Sequence, residues 1–198
     1  FDGWYVGAWP HMFTAVRYVT GLHAGQTLLE RPFSCSDYAG FCQLQPLVRA
    51  VCPFTCGCHD PLSGLLWTSP AQGCPIKCRE GRLQHRRGRP CVDMHTVNMS
   101  AWGTYWTTLG DFWTADLANP AQERVVMAFV RRKIAGGCAN EELLPFANVS
   151  DCDDRNPFFT VNGLSAIVPF CAARCCQGAN PPEDCPTTCH PSIASPLR

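Results

Sequence analysis

Apolar residues in the middle of the chain recur at three- and four-residue spacing. Trp102, Tyr105, Trp106, Leu109 and Trp113 fall on one face of a helix. Such spacing favours core packing of an amphipathic helix over a row of sugar-stacking rings. A second stripe follows in Val126, Phe129, Val130 and Ile134. Asn119-Pro120 reads as an N-cap with Pro at the first helical position, and Gln122 completes a capping box. Arg131, Arg132 and Lys133 stand in the last turn, where cations favour the helix dipole, and Gly136-Gly137 stops the helix. The pattern predicts a helix over about residues 120–135 and another from Pro10 to about Thr20. The stretch EGRLQHRRGRP, residues 80–90, has no apolar period and reads as a polar loop.

Cysteine changes this picture most. The chain has 198 residues and 15 Cys, with charged residues at only 16%. Eight Cys precede the helical middle: Cys35, Cys42, Cys52, Cys56, Cys58, Cys74, Cys78 and Cys91. Seven follow it: Cys138, Cys152, Cys171, Cys175, Cys176, Cys185 and Cys189. Each block repeats one grammar: a lead Cys, a mainly apolar stretch, C-x-x-x-C closely followed by another Cys, a gap, then C-P-x-x-C. That order reads as a diverged internal duplication. The segments are then 1–34, an aromatic segment with a helix; 35–95, the first Cys block; 96–137, helical; and 138–198, the second Cys block.

Spacing also selects the cysteine chemistry. No C-x-x-C occurs, and His11, His23, His59, His85, His95 and His190 form no H-x3-5-H. Zinc knuckles and thioredoxin-like redox sites use those spacings, so no metal and no cofactor are expected. Two Cys four apart lie on one helical face and are poorly placed to join each other. Pro suits the turn they occupy. C-P-x-x-C is therefore expected to act as a double staple, with each Cys bound to another segment. Fifteen is odd, so one Cys remains over. Three readings stay open for it: a buried inert thiol, a link to a second chain, or a partner lost by truncation.

Cystines persist in oxidising compartments. The sequons Asn98-Met99-Ser100 and Asn148-Val149-Ser150 agree with export and with attached N-glycans. The chain starts at Phe1 without a signal peptide, as a processed chain or a segment of a longer one would. No apolar run approaches a membrane span. Formal net charge is zero, which gives no steering toward nucleic acid. No G-x-S-x-G, H-E-x-x-H, P-loop or G-x-G-x-x-G is present, so no catalytic residue is assigned and a non-enzymatic chain is expected. Asp151, Asp153 and Asp154, before Asn156-Pro157, read as a turn, with calcium as the other reading. Arg86-Arg87-Gly88-Arg89 reads as a solvated loop, with a processing site or an anionic-glycan patch as alternatives.

One string carries a family resemblance. CSDYAGFCQLQPLVRAVCPFTCGC, residues 35–58, resembles the ShK-like toxin (ShKT) module, through Cys35-x-Asp37 and Cys52-Pro53-Phe54-Thr55-Cys56-Gly57-Cys58. The likeness extends more faintly to residues 152–176, and the run into GCPIKC looks like repeats in secreted or surface proteins of single-celled algae. The resemblance implies a disulfide-held pair of short helices with Cys35–Cys52 and Cys42–Cys56. Cys58 would pair elsewhere, with Cys74 or Cys78. The Lys-Tyr pair behind potassium-channel block in that family does not occur in residues 35–58, so that activity is not implied.

These readings predict a small disulfide-rich, mainly α protein, with two Cys-stapled blocks of short helices and loops flanking a Cys-free helical segment. The expected role is a structural or interaction subunit of an extracellular or cell-surface assembly, fibrous in one version, whose partners are other chains and chiefly copies of itself. A glycan- or ligand-binding module using Trp4 and Trp9 is the first alternative. A lumenal subunit of a photosynthetic complex and a disulfide-stabilised hydrolase are the others.

Overall fold

The computed structural model describes residues 9–22, 32–144, 149–177, 181–182 and 185–189, with Trp9 described by its backbone alone. Among these the regular structure is helical: α1 (Trp9–Val19), α2 (Pro46–Val51), α3 (Ile76–Arg87), α4 (Ser100–Thr114), α5 (Pro120–Gly136), α6 (Pro157–Asn162) and α7 (Ala172–Cys176). Short 3-10 turns intervene, the longest at Cys35–Phe41. The described residues form no strand, and three isolated β-bridges join loop segments. The protein is a small disulfide-rich, mainly α fold with seven cystines.

Two apolar cores follow from the stripes. The aromatic face of α4 packs on α5, and Trp102, Trp106, Leu109, Val126 and Phe129 are all at most 1% exposed. Rings meet edge to face there, with Trp102–Trp106 centroids 5.5 Å apart and Trp106–Phe129 centroids 5.7 Å apart. Removing each such ring from water stabilises the fold by about 3 kcal/mol. The second Cys block completes this core with Ile167, Val168, Phe170 and Cys171. The smaller core joins α1 to the first block: Val16 meets Tyr38, Val48 and Val51, and Phe13, Phe33 and Tyr38 stack at 4.2 and 4.9 Å. The helix of segment 1–34 thus shares a core with residues 35–56.

The helix ends follow local chemistry. Asn119 Oδ1 accepts from the Ala121 N–H at the start of α5, with Pro120 at its first position. Gly137, at φ 56°, closes the helix and donates to Lys133 O. Asn156 caps α6 in the same way, accepting from the Phe158 N–H at 2.9 Å. One expectation fails: residues 80–87 belong to α3 and are not a polar loop. Its buried positions are Cys78, Arg82 and Arg86, four residues apart, so its inward face carries guanidinium groups instead of apolar side chains.

The two Cys blocks also touch each other directly. Ser165 N donates to Leu66 O at 2.8 Å, and Thr68 N donates to Gly163 O at 3.1 Å. The Ser165 hydroxyl reaches Leu65 O at 3.0 Å. Glycine is required where these loops close in. A Cβ on Gly64, at φ +72°, would stand 2.3 Å from Ala101 O; one on Gly163, at φ +68°, would stand 2.2 Å from Ser69 Oγ.

Candidate functional site

The cystines place the cysteine residues first. Cys35 pairs with Cys52, Cys42 with Cys56, and Cys58 with Cys74. The first two are the bonds that the toxin-module resemblance implies. In the second block Cys138 joins Cys171, Cys152 joins Cys175, and Cys176 joins Cys185. Cys91 reaches Cys189, closing 98 residues. Cys78 is the free thiol, 7% exposed, and burial pushes its pKa up. A buried thiol held protonated is a poor nucleophile. The double staple describes Cys52/Cys56 and Cys185/Cys189; the middle C-P-x-x-C is held through Cys74 alone. Residues 53–59 form turns and not a regular helix, although the Cys56 N–H donates to Cys52 O at 3.0 Å.

The remaining candidate residues separate. Asn98 is exposed, just before α4. Asn148 and Trp4 lie outside the described residues, as does the Trp9 side chain. Trp102 and Trp106 are closed to any ligand at 0% exposure. Among the described residues no three His, Cys, Asp or Glu side chains gather as a metal-ligand group. No helix among them is long and apolar enough to cross a membrane.

The three aspartates do not act together. Asp153 Oδ1 accepts from the Arg155 N–H, as the turn reading expects, but Asp151 and Asp154 leave the turn for cations. Asp151 is 1% exposed and holds Lys133 Nζ at 2.7 Å and Arg174 Nη2 at 2.8 Å. Lys133 is fully buried, 5.5 Å above the Trp106 and Phe129 rings, and also donates to Asn140 O at 2.9 Å. It is thus a core cation and not a surface charge at the helix end. Burial lowers its pKa, and the Asp151 carboxylate opposes that shift. Arg174 carries the network to Cys138 O and, through its backbone N–H, to Asp93.

Two arginines in the first block, Arg49 and Arg82, work on carbonyls, and a third, Arg86, on a carboxylate. Arg49, 1% exposed, donates to Gln72 O and Cys42 O, both at 2.6 Å, and to Gln43 O at 3.1 Å. Burial brings its pKa down to about 10. Arg82 donates to Asp60 O at 2.6 Å, and burial with the neighbouring Arg86 charge lowers its pKa to about 10. Arg86 donates to Asp154 Oδ2 at 2.9 Å, joining α3 to the second block. Arg86 therefore does not sit in a solvated loop, and Thr187 and Thr188 donate to Arg87 O and Arg89 O across that stretch.

A cleft of about 450 Å3 opens between α3 and residues 154–169. Arg79, Arg82, Arg86 and Arg155 line it, with Asp154 as the sole acid. Hydroxyls of Thr68, Ser69, Thr160 and Ser165 complete its polar wall, and Phe159 lies beneath. Sequence reading singled out Arg86 for its basic cluster and Asp154 as part of a turn, and did not bring them together or single out the other lining residues; the arginine content of α3 was the available signal. No family model, curated protein or solved structure matches this chain.

Proposed function

We propose that this chain is a non-enzymatic, secreted, cysteine-rich glycoprotein that serves as a structural or interaction subunit of an extracellular or cell-surface assembly. Its principal partners are copies of itself. The supporting observation is the cross-link pattern: three cystines close the first block, three close the second, and Cys91–Cys189 joins the two blocks across 98 residues. Many disulfides with no membrane-spanning helix among the described residues fit an extracellular or secreted protein. Such cross-links slow unfolding and resist conditions outside the cell. Exposed Asn98 is the expected glycan carrier within the described residues.

Light scattering and electron microscopy of native glycosylated material test this reading. Concentration-dependent association into ordered particles or filaments is expected, with glycan mass on the Asn98 peptide. Strictly monomeric behaviour at high concentration defeats the assembly, and an unmodified Asn98 removes the glycan there.

A further inference from the structure

We propose that the arginine-lined cleft binds an oxyanion, the sulfate, phosphate or carboxylate of a small hydroxyl-bearing ligand such as an acidic sugar. Four arginines and a single acid line about 450 Å3, a size usual for small-molecule sites. Like charges gathered around a cleft with low-dielectric walls focus their field on its interior and attract an anion. Their protein contacts leave donors to spare. Arg82 is anchored on Asp60 O and acts as fixed charge. Arg86 is 8% exposed and gives Nη2 to Asp154, while its Nε finds no acceptor among the described residues. The Ser69 hydroxyl, in the same lining, has no partner there either. Arg155 holds Asp153 only loosely, at 3.7 Å, and Arg79 is exposed with no ion pair among the described residues.

Buried polar groups in native proteins are nearly always satisfied. Two unsatisfied ones at a cleft rich in guanidinium therefore point to a ligand that accepts hydrogen bonds. Planar guanidinium forks match carboxylate, sulfate and phosphate oxygens. The hydroxyls of Thr160 and Ser165 donate to Asn156 O and Leu65 O and so offer the ligand acceptors, while Ser69 keeps a free donor, a mix suited to a hydroxylated ligand. A bare anion would use the guanidinium groups and leave most of this wall idle.

Isothermal titration of the full chain at low ionic strength tests the proposal, with sodium sulfate, sodium phosphate, glucuronic acid, glucose 6-sulfate and glucose as probes. Saturable binding of the anions, and none of glucose, is expected. Tighter binding of the acidic sugars than of the inorganic salts identifies the sugar as the source; equal binding identifies a free anion. Arg86→Gln should weaken binding about tenfold or more, the scale of one lost charge-assisted hydrogen bond. Because Arg86 also joins two segments, Arg79→Gln serves as the variant that leaves every described ion pair intact, and it should weaken binding in the same direction. Absence of saturable binding by every anion, equal binding of glucose, or full affinity in both variants overturns the site.

Discussion

In both cysteine blocks the first Cys of C-x-x-x-C adopts the same backbone shape. Cys52 has φ −120° and ψ 50°; Cys171 has φ −121° and ψ 54°. Each accepts on its carbonyl from the Cys four residues on, Cys56 at 3.0 Å and Cys175 at 2.9 Å. The next Cys then bonds the first Cys of C-P-x-x-C in both blocks, as Cys58–Cys74 and Cys176–Cys185. The remaining bonds differ. The lead Cys takes the first member of C-x-x-x-C in block one, Cys35–Cys52, and the last in block two, Cys152–Cys175. A third cysteine takes what is left: Cys42 from within the first block, Cys138 from the end of α5. Local spacing thus sets the turn, while delivery of the third cysteine by the rest of the chain sets the partners. The blocks also end differently, since Cys189 is bonded to Cys91 and its positional counterpart Cys78 is free.

The sharpest contrast is between the longest closure and a short one. Replacing Cys91 and Cys189 together by Ala opens a loop of 98 residues, and Cys58 with Cys74 opens one of 16. Chain entropy assigns about 4.7 kcal/mol to the first and about 3 kcal/mol to the second. Urea unfolding of the two double variants should show that order. Equal losses would place the asymmetry between the blocks somewhere other than in their cross-links.

The next contrast lies in the buried charges. Asp151→Leu leaves Lys133 and Arg174 without their carboxylate, and should destabilise by about 4 kcal/mol, within the range for breaking a buried ion pair. Arg49→Met in the first block strands carbonyls and gives up the guanidinium over the Trp67 ring, but strands no charge, at about 2 kcal/mol. Chemical denaturation of both variants compares them. A smaller loss for Asp151→Leu than for Arg49→Met would mean that both blocks are held by carbonyl contacts, not one of them by paired charge.

Third comes the cysteine at the end of each C-P-x-x-C. Cys78→Ala removes a small buried group, about 1 kcal/mol, and should leave all seven cystines in place by peptide mass mapping. Native Cys78 should resist iodoacetamide until the chain is denatured. A rearranged bond pattern in Cys78→Ala, or prompt labelling of the native thiol, would break the distinction between a spare position and a bonded one.

How much of this was legible depends on what each buried face is made of. The α4 and α5 stripes are apolar, so period alone located them, and Asn119-Pro120 marked the start of α5. In α3 the inward positions are Cys78, Arg82 and Arg86, and a search for apolar residues cannot see an arginine face held by backbone carbonyls and a carboxylate. Asp151 was hidden by its neighbours: Asp153 and Asn156-Pro157 do turn the chain, and that signal masked a carboxylate facing inward. The cleft as a whole could not be read. Its walls, α3 and residues 154–169, are apart in sequence and are brought together by the bonds of residues 66–68 to 163–165 and by the Arg86–Asp154 pair.

The smallest effect tests whether surface charge adds anything to the second block beyond Asp151. Arg132, one residue before Lys133, grips Glu142 with two hydrogen bonds at 2.9 and 2.6 Å, both side chains exposed. The Arg132 hydrogen bonds hold the Glu142 pKa below its ordinary 4.5. A carboxylate depressed in the folded state contributes stability above its unfolded pKa, and loses it as pH falls through the folded value. Glu142→Gln should therefore be slightly less stable than the native chain near neutral pH. The difference should shrink below pH 4.5 and vanish once Glu142 is protonated. Added salt should shrink it too, because exposed pairs are screened. Thermal unfolding across that pH range reads the effect. A difference that persists at acid pH would show that Glu142 acts through the packing of the loop after α5 and not through its charge, leaving the buried Asp151 network as the one electrostatic contrast between the blocks.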